Sequence, residues 1–172
     1  SSQTAAFGGC DNLTSVVFEG GGTANVTIGN YAFAYCSNLK EVTLSEKVTS
    51  TGTYVFRDCP KLKNFNFAEN GTFTTFGAST FYNSFTETEL EEGETLSLTI
   101  PNSVTSVGAS LFSGARKLQS VTFASGTKKV TTFGASVFAN CSGLTSVVLP
   151  EGVATLGATF SGCSALESIS LP

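Results

Sequence analysis

No histidine, methionine or tryptophan occurs among the 172 residues of this chain, and each gap removes a class of function. Without histidine the commonest general base is missing, and so is every Ser-His or Cys-His nucleophile pair. Imidazole-based zinc sites go with it. Charge is scarce as well. Charged residues make up 13% of the chain, about half the share of an ordinary globular domain, and the net charge is −4. Its nine cations are scattered, Arg116-Lys117 and Lys128-Lys129 being the densest pairs. Phosphate neutralisation needs clustered lysine and arginine, so nucleic acid is not an expected partner. There is no run of ~18 apolar residues, so no membrane insertion is expected of this segment. Aspartate occurs only at Asp11 and Asp58, in separate places, and Gly20-Gly21-Gly22 lacks the Lys-Ser/Thr of a phosphate loop. No cofactor site and no catalysis are expected. The missing methionine also means that Ser1 is not a natural translation start, and the chain is expected to be part of a longer protein.

What the chain has in abundance is one phrase. A small or branched residue precedes Phe; a small residue, usually Cys, follows three later; Leu, Val and Leu or Phe come at fixed steps. It runs Ala6-Phe7..Cys10..Leu13..Val16.Phe18 and returns at Phe33, Phe56, Phe81, Phe112, Phe138 and Phe160, with spacings of 26, 23, 25, 31, 26 and 22 residues. Self-similarity at such a period marks a solenoid, propeller or array. Segments such as Ser146-Val147-Val148-Leu149 alternate and carry β-branched residues, so they read as strands, and Pro101, Pro150 and Pro172 end them. A second phrase, Val48 to Gly52, Val104 to Gly108, Val130 to Gly134 and Val153 to Gly157, reads as a second strand closed by a glycine turn. The alanine after it is expected to permit close approach between coils. The remaining side of each coil, opened by the Phe, is expected to be short and either helical or irregular. Stacked coils place identical positions in columns about 4.8 Å apart. The phenylalanines then form an internal spine.

All five cysteines (Cys10, Cys36, Cys59, Cys141, Cys163) hold one repeat position, where the other copies carry Ser84 and Ala115. A position that accepts Cys, Ser or Ala reads as one selected for small size, a buried thiol ladder. A disulfide between neighbouring coils, such as Cys36–Cys59, is the alternative.

The pattern Ala-Phe-x-x-Cys-x-x-Leu-x-x-Val-x-Leu-Pro followed by Val-Thr-x-Val-Gly resembles the BspA-like, or Treponema pallidum-type, leucine-rich repeats. The resemblance covers essentially all of residues 1–172, as a single domain of about seven coils, and departs from the pattern around residues 82–97. It implies a right-handed, curved leucine-rich-repeat solenoid of the α/β repeat class, rich in strand. It also implies a secreted or cell-surface protein of bacteria or some protozoa. Some members bind host matrix proteins or contribute to adhesion. The function expected is a non-catalytic extracellular binding or adhesion module for a protein or glycan partner, with a structural spacer in a larger surface protein as the alternative.

Candidate contact residues lie where the phrase departs from itself. The regular outward columns, Ser15 to Ser168 and Val17 to Ser170, are small and mostly hydroxylated, whereas binding energy concentrates in Tyr, Trp and Arg. Tyr31 and Tyr54 share a column in adjacent repeats, Tyr35 sits on the corner nearby, and Arg57 and Asp58 join them as a candidate patch. Alternatively Tyr31 and Tyr54 merely cover the edge of the core. The fourth copy carries an insertion holding Glu87, Glu89, Glu91, Glu92 and Glu94. One reading is a site for a divalent cation or a basic partner. The other, which better fits the missing Asp, Asn and Gly of a calcium loop, is a solvated loop pushed out of the coil.

Overall fold

The computed structural model describes residues 5–126 and 128–171; Pro172, expected to stop a strand, lies outside them. Each coil opens its ladder with a first strand: β1 (Ser15–Val17), β3 (Glu41–Thr43), β5 (Asn64–Asn66), β7 (Ser97–Ile100), β9 (Ser120–Phe123), β11 (Ser146–Val148) and β12 (Ser168–Ser170). The second strands are β2 (Val26–Ile28), β4 (Val48–Thr51), β6 (Thr75–Phe76), β8 (Ser106–Val107) and β10 (Thr132–Phe133), whereas Val153 to Gly157, expected to be another, forms no strand and has no following second strand to pair with. All pairings are parallel and link one coil to the next, which makes the chain a parallel β-solenoid of about seven turns.

Among the described residues there is no helix, so the side opened by the Phe is irregular. Backbone geometry explains why. Two columns sit in the left-handed region: Tyr31, Tyr54, Ser79, Ser110 and Ser136, two before the Phe, at φ 55–57°, and Tyr35, Asp58, Asn83 and Asn140, two after it, at φ 53–64°. A right-handed helix cannot pass through such residues.

The Phe spine is a continuous stack. Successive rings from Phe7 to Phe160 lie 5.1, 5.5, 5.8, 5.3, 5.5 and 5.4 Å apart, centroid to centroid, with interplanar angles of 12° or less. Phe56, Phe81, Phe112 and Phe138 are fully buried. Each such pair is worth about 0.5–1.5 kcal/mol beyond its burial.

The five cysteines are free. Their column does more than fit a small space. Cys36, Cys59, Cys141 and Cys163 each donate from Sγ to the carbonyl of the Phe in the preceding coil, at 3.2, 3.2, 3.0 and 3.0 Å, and Ser84 Oγ does the same to Phe56. Ala115 alone keeps the size without the bond. Burial pushes the Cys59 thiol pKa up, so it stays a donor. The glycine column also differs from expectation. Gly52, Gly77, Gly108 and Gly134 are not at positive φ; a Cβ on Gly77 would strike the Gly52 carbonyl, and one on Gly108 the Ala78 amide. Close approach between coils is therefore a role of the glycine, which sits against Ala78 and Ala109 of the preceding coil.

The two ladders differ in continuity. The second strands form one unbroken sheet in the order β10-β8-β6-β4-β2, but the first strands form two, β1-β3-β5 and β12-β11-β9-β7. The outward column expected to run through all coils is broken between Asn64 and Ser97.

The thiol bond gives the first prediction. Cys59→Ala should lower unfolding free energy by about 1 kcal/mol, because it leaves a buried carbonyl short of a donor. Cys59→Ser, which copies Ser84, should lose less. Urea denaturation of both variants decides it, and equal losses would return the column to a size requirement alone.

Candidate functional site

Tyr35, Tyr54 and Arg57 come together on the corner of coils two and three. Tyr31 and Tyr54 stack at 5.0 Å and 22°. The Arg57 guanidinium carbon lies 5.7 Å from the Tyr35 ring centroid, 5.2 Å from Tyr54 and 5.2 Å from Tyr82. Its Nε donates to Asp58 Oδ2 at 2.8 Å, and that bond holds the guanidinium pKa above its ordinary value. Three rings and one carboxylate thus fix a single arginine. Backbone ladders set the spacing, with Tyr35 N–H bonded to Arg57 O at 2.8 Å and Asp58 N–H to Tyr82 O at 2.9 Å. Tyr82 was not placed in the patch by sequence, yet it follows its Phe directly, as Arg57 does, and that column alignment would have found it.

Tyr35 is the outlier of its column. The equivalent positions carry Gly9, Asp58, Asn83, Gly114, Asn140 and Gly162, the residue types that tolerate positive φ. A tyrosine held at φ 64° and half exposed there costs on the order of 1 kcal/mol. Tyr35 and Asp58 line a groove of about 540 Å³ with Asn83, Thr86, Glu87 and Arg116. A second groove of about 460 Å³ shares Asn83 and Arg116 and extends the trough past Tyr82 to Asn140 and Gly162.

The acidic insertion is a solvated loop, with Glu87, Glu89, Glu91, Glu92 and Glu94 all exposed, but it is bonded to the coils at its start. It starts as an extra rung, with Thr86 and Glu87 N–H bonded to Pro60 O at 3.0 and 2.9 Å and buried Thr88 donating to Leu62 O at 2.7 Å. Glu87 lines the tyrosine groove. The remainder lies against the lysines of coils two and three: Lys63 Nζ is 2.7 Å from Glu94, Lys40 Nζ is 3.9 Å from Glu89, and a small cavity of about 200 Å³ holds Lys40, Lys61 and Lys63 against Glu89 and Glu91. Glu94 also accepts from the Glu91 amide at 2.9 Å, while Glu92 is exposed. Among the described residues no group of three His, Cys, Asp or Glu side chains could hold a metal. No helix there is long and apolar enough to cross a membrane.

Stacked parallel coils, a Phe spine and a small-residue column define a leucine-rich-repeat solenoid, and the comparisons with known proteins agree. The model of the BspA type leucine rich repeat region matches in six copies over residues 1–97 and 85–172, and the chain belongs to that family. Among solved structures it is similar to the Treponema pallidum leucine-rich repeat protein, with 24% identity, 92% of this chain and 69% of that chain covered, and a TM-score of 0.77. A leucine-rich repeat protein from Bacteroides ovatus shares 29% identity over 85% of this chain and 34% of its own, at a TM-score of 0.68. The pneumococcal vaccine antigen PcpA shares 24% identity over 85% of this chain and 42% of its own, at 0.55. Two of these three structures are thus covered over less than half their length. No curated protein matches the sequence.

The insertion's contacts carry a pH dependence. The Lys63 hydrogen bond, then the Glu91 amide, lowers the Glu94 pKa below its ordinary 4.5. A depressed carboxylate pKa contributes stability above the unfolded value and loses it as pH falls through the folded one. The contact should therefore hold at neutral pH and release below about pH 4.5, with faster proteolysis at Glu91–Gly93 in acid. Glu94→Gln should show the acid cleavage rate already at pH 7.

Proposed function

We propose that the chain is a non-catalytic binding module working outside the cell or on its surface, and that it holds a protein partner along the trough headed by Tyr31, Tyr35, Tyr54, Tyr82 and Arg57. The observation that carries this is Tyr35 at φ 64°, in a column whose other members are glycine, asparagine and aspartate. A bulky ring kept at a strained backbone position points to a use for the ring. Tyrosine and arginine are the residues in which interface energy concentrates, and here they are preorganised, so little side-chain entropy is lost on binding. The trough, about 540 and 460 Å³ in two joined grooves, suits an extended protein surface better than a single sugar. Membership of the BspA type repeats and the similarity to a pneumococcal antigen support placement at a bacterial surface. Host matrix is then one source of partners.

The test begins with retention of a partner from matrix and cell-surface extracts, with a glycan array in parallel. Each of Tyr31→Ser and Tyr54→Ser, which restore the serine of the later coils, should weaken binding by about tenfold or more. Tyr35→Asn should do the same while stability changes by less than about 0.5 kcal/mol, since relief of the strained φ offsets the lost cation–π contact. Retention of full affinity by the triple variant would place the binding surface away from the tyrosine trough, and failure to retain any partner would leave the chain as a structural spacer. Binding confined to the glycan array would replace the protein partner by a carbohydrate.

A further inference from the structure

The break between β5 and β7 leaves a specific set of backbone groups without partners. At the other junctions of first strands, the carbonyl just before the strand accepts two amides from the next coil. Thr14 O takes Lys40 and Glu41, Lys40 O takes Lys63 and Asn64, Leu96 O takes Gln119 and Ser120, and Gln119 and Thr145 repeat the pattern, at 2.8–3.3 Å. Among the described residues the equivalent carbonyl of Lys63 accepts none, and the Leu96 amide turns away to Gln119 Oε1 at 2.8 Å. The Phe67 amide likewise lacks the partner that Phe18 finds in Thr43 O and Leu44 in Asn66 O.

Alternation along the ladder fixes which other groups face the break. Asn64 and Asn66 point their backbone groups at β3, since Asn64 N–H bonds Lys40 O and Leu44 N–H bonds Asn66 O; Phe65 N–H and C=O therefore point at β7. Ser120 N–H bonds Leu96 O and Ala124 N–H bonds Ile100 O, so Ser97 and Thr99 turn theirs toward β5. Four donors (Phe65, Phe67, Ser97, Thr99) and four acceptors (Lys63, Phe65, Ser97, Thr99) thus line two facing edges. A groove of about 420 Å³ separates them, walled by residues 63–69 on one side and by Ser97, Leu98, Thr99 and Pro101 on the other.

The split coincides with extra side-chain volume at Phe65, the one aromatic among Val16, Val42, Leu98, Val121, Val147 and Ile169 in its column; Phe67 shares its column with Phe18 and Phe123, whose coils stay paired. Where the second coil has Val42 and Leu44, the third has Phe65 and Phe67. Phe65 packs edge-on to the spine ring of Phe81 at 5.0 Å and 88°, and Phe67 to Phe76 at 6.0 Å and 88°. The spine gap there is the widest of the six at 5.8 Å. Bulk on the strand side accompanies the separation of the two coils, while the insertion bonds to Pro60 and Leu62 just upstream.

We propose that this split is a strand-addition site: an extended segment of a protein partner enters between β5 and β7, parallel to both, and completes the ladder on each side. Backbone donors and acceptors alternating along two parallel strands match a peptide backbone and nothing else as simply. Side chains of the entering strand alternate between Asn64, Asn66, Ser97 and Thr99 outside and Phe65 and Leu98 inside, which fits hydroxyl residues outward and small apolar ones inward. At the far end exposed Glu69 has no cation within 4.0 Å among the described residues, so a basic residue fits there. The site lies on the strand side of the coils, apart from the tyrosine corner, and does not depend on it.

The probe is a labelled peptide, acetyl-TVTVTK-amide, followed by fluorescence anisotropy, with amide hydrogen exchange of the full chain read by NMR. In the free protein Phe67, Ser97 and Thr99 should exchange as fast as loop amides, and peptide should slow them at least tenfold. An analogue N-methylated at alternate amides should bind at least tenfold more weakly. Ser97→Pro removes one donor facing the split and none facing β9, and should weaken binding about tenfold. Phe65→Val with Phe67→Leu should close the ladder, protecting the three amides without peptide and abolishing binding; if that variant does not fold, Ser97→Pro decides alone. Protected amides in the free protein, no binding at millimolar peptide, or indifference to N-methylation and to Ser97→Pro would each overturn the proposal.

Discussion

Face-to-face stacking of Phe7, Phe33, Phe56, Phe81, Phe112, Phe138 and Phe160 sets the rise of the coil, and the other columns inherit their spacing from it. Ring separations of 5.1–5.8 Å are slightly wider than the distance between hydrogen-bonded strands, so the ladders must be short and the coil must turn between them. The glycine column does the complementary work on the other side, bringing Gly52, Gly77 and Gly108 closer than any Cβ permits. Thiols then tie four coils, and Ser84 a fifth, to the Phe carbonyl of the one before. Spine, glycine and thiol are three separate constraints on one distance. Agreement among them is what makes a stack of such short strands hold its register.

That agreement is also why departures from the repeat have local and readable effects. A tyrosine in a column of glycine and asparagine does not shift the coil; it is held at φ 64° by neighbours that already have their geometry. Phe65 in a column of aliphatic residues coincides with such a shift, in keeping with the cost of added volume in a packed core. The second strands still pair across the same junction through β4, β6 and β8, so the opening is a wedge confined to one side.

Much of this was legible in the sequence because periodicity records which side chains point inward. The Phe and Cys columns, the first strand of each coil, most of the second strands and the displaced fourth copy all follow from that record, though Val153 to Gly157 reads as a strand and forms none. What it does not record is the distance between coils. From sequence, Cys, Ser and Ala at one position read as small residues, since a thiol bond to a carbonyl in the neighbouring coil leaves no local trace. Gly108 read as a turn for the same reason, its true constraint being the Ala78 amide one coil away. The run Glu87 to Glu94 is solvated as it reads, but its charge partners Lys40 and Lys63 belong to earlier coils and leave no local trace. The split between β5 and β7 was the least visible of all. It coincides with Phe65 as the one aromatic of its column, and that residue alone does not announce it.

Three departures fall in coils two to four, and one of them, the insertion, touches the other two. Thr86 and Glu87 line the groove that Tyr35 and Asp58 open. Thr88 bonds Leu62 immediately before β5, and Glu94 pairs with Lys63, whose carbonyl begins the unpaired edge. A ten-residue detour between Thr86 and Thr95 therefore sits between the aromatic corner and the broken sheet, bonded to residues at the margin of both. Had the fourth coil kept the regular length, its strand would follow Ser84 directly, and the backbone that now bonds Pro60 would have continued into the ladder beside β5. Extra chain at this junction and extra aromatic volume beneath it act in the same direction. Each removes a reason for β5 and β7 to pair, and together they leave the regular coils on either side undisturbed.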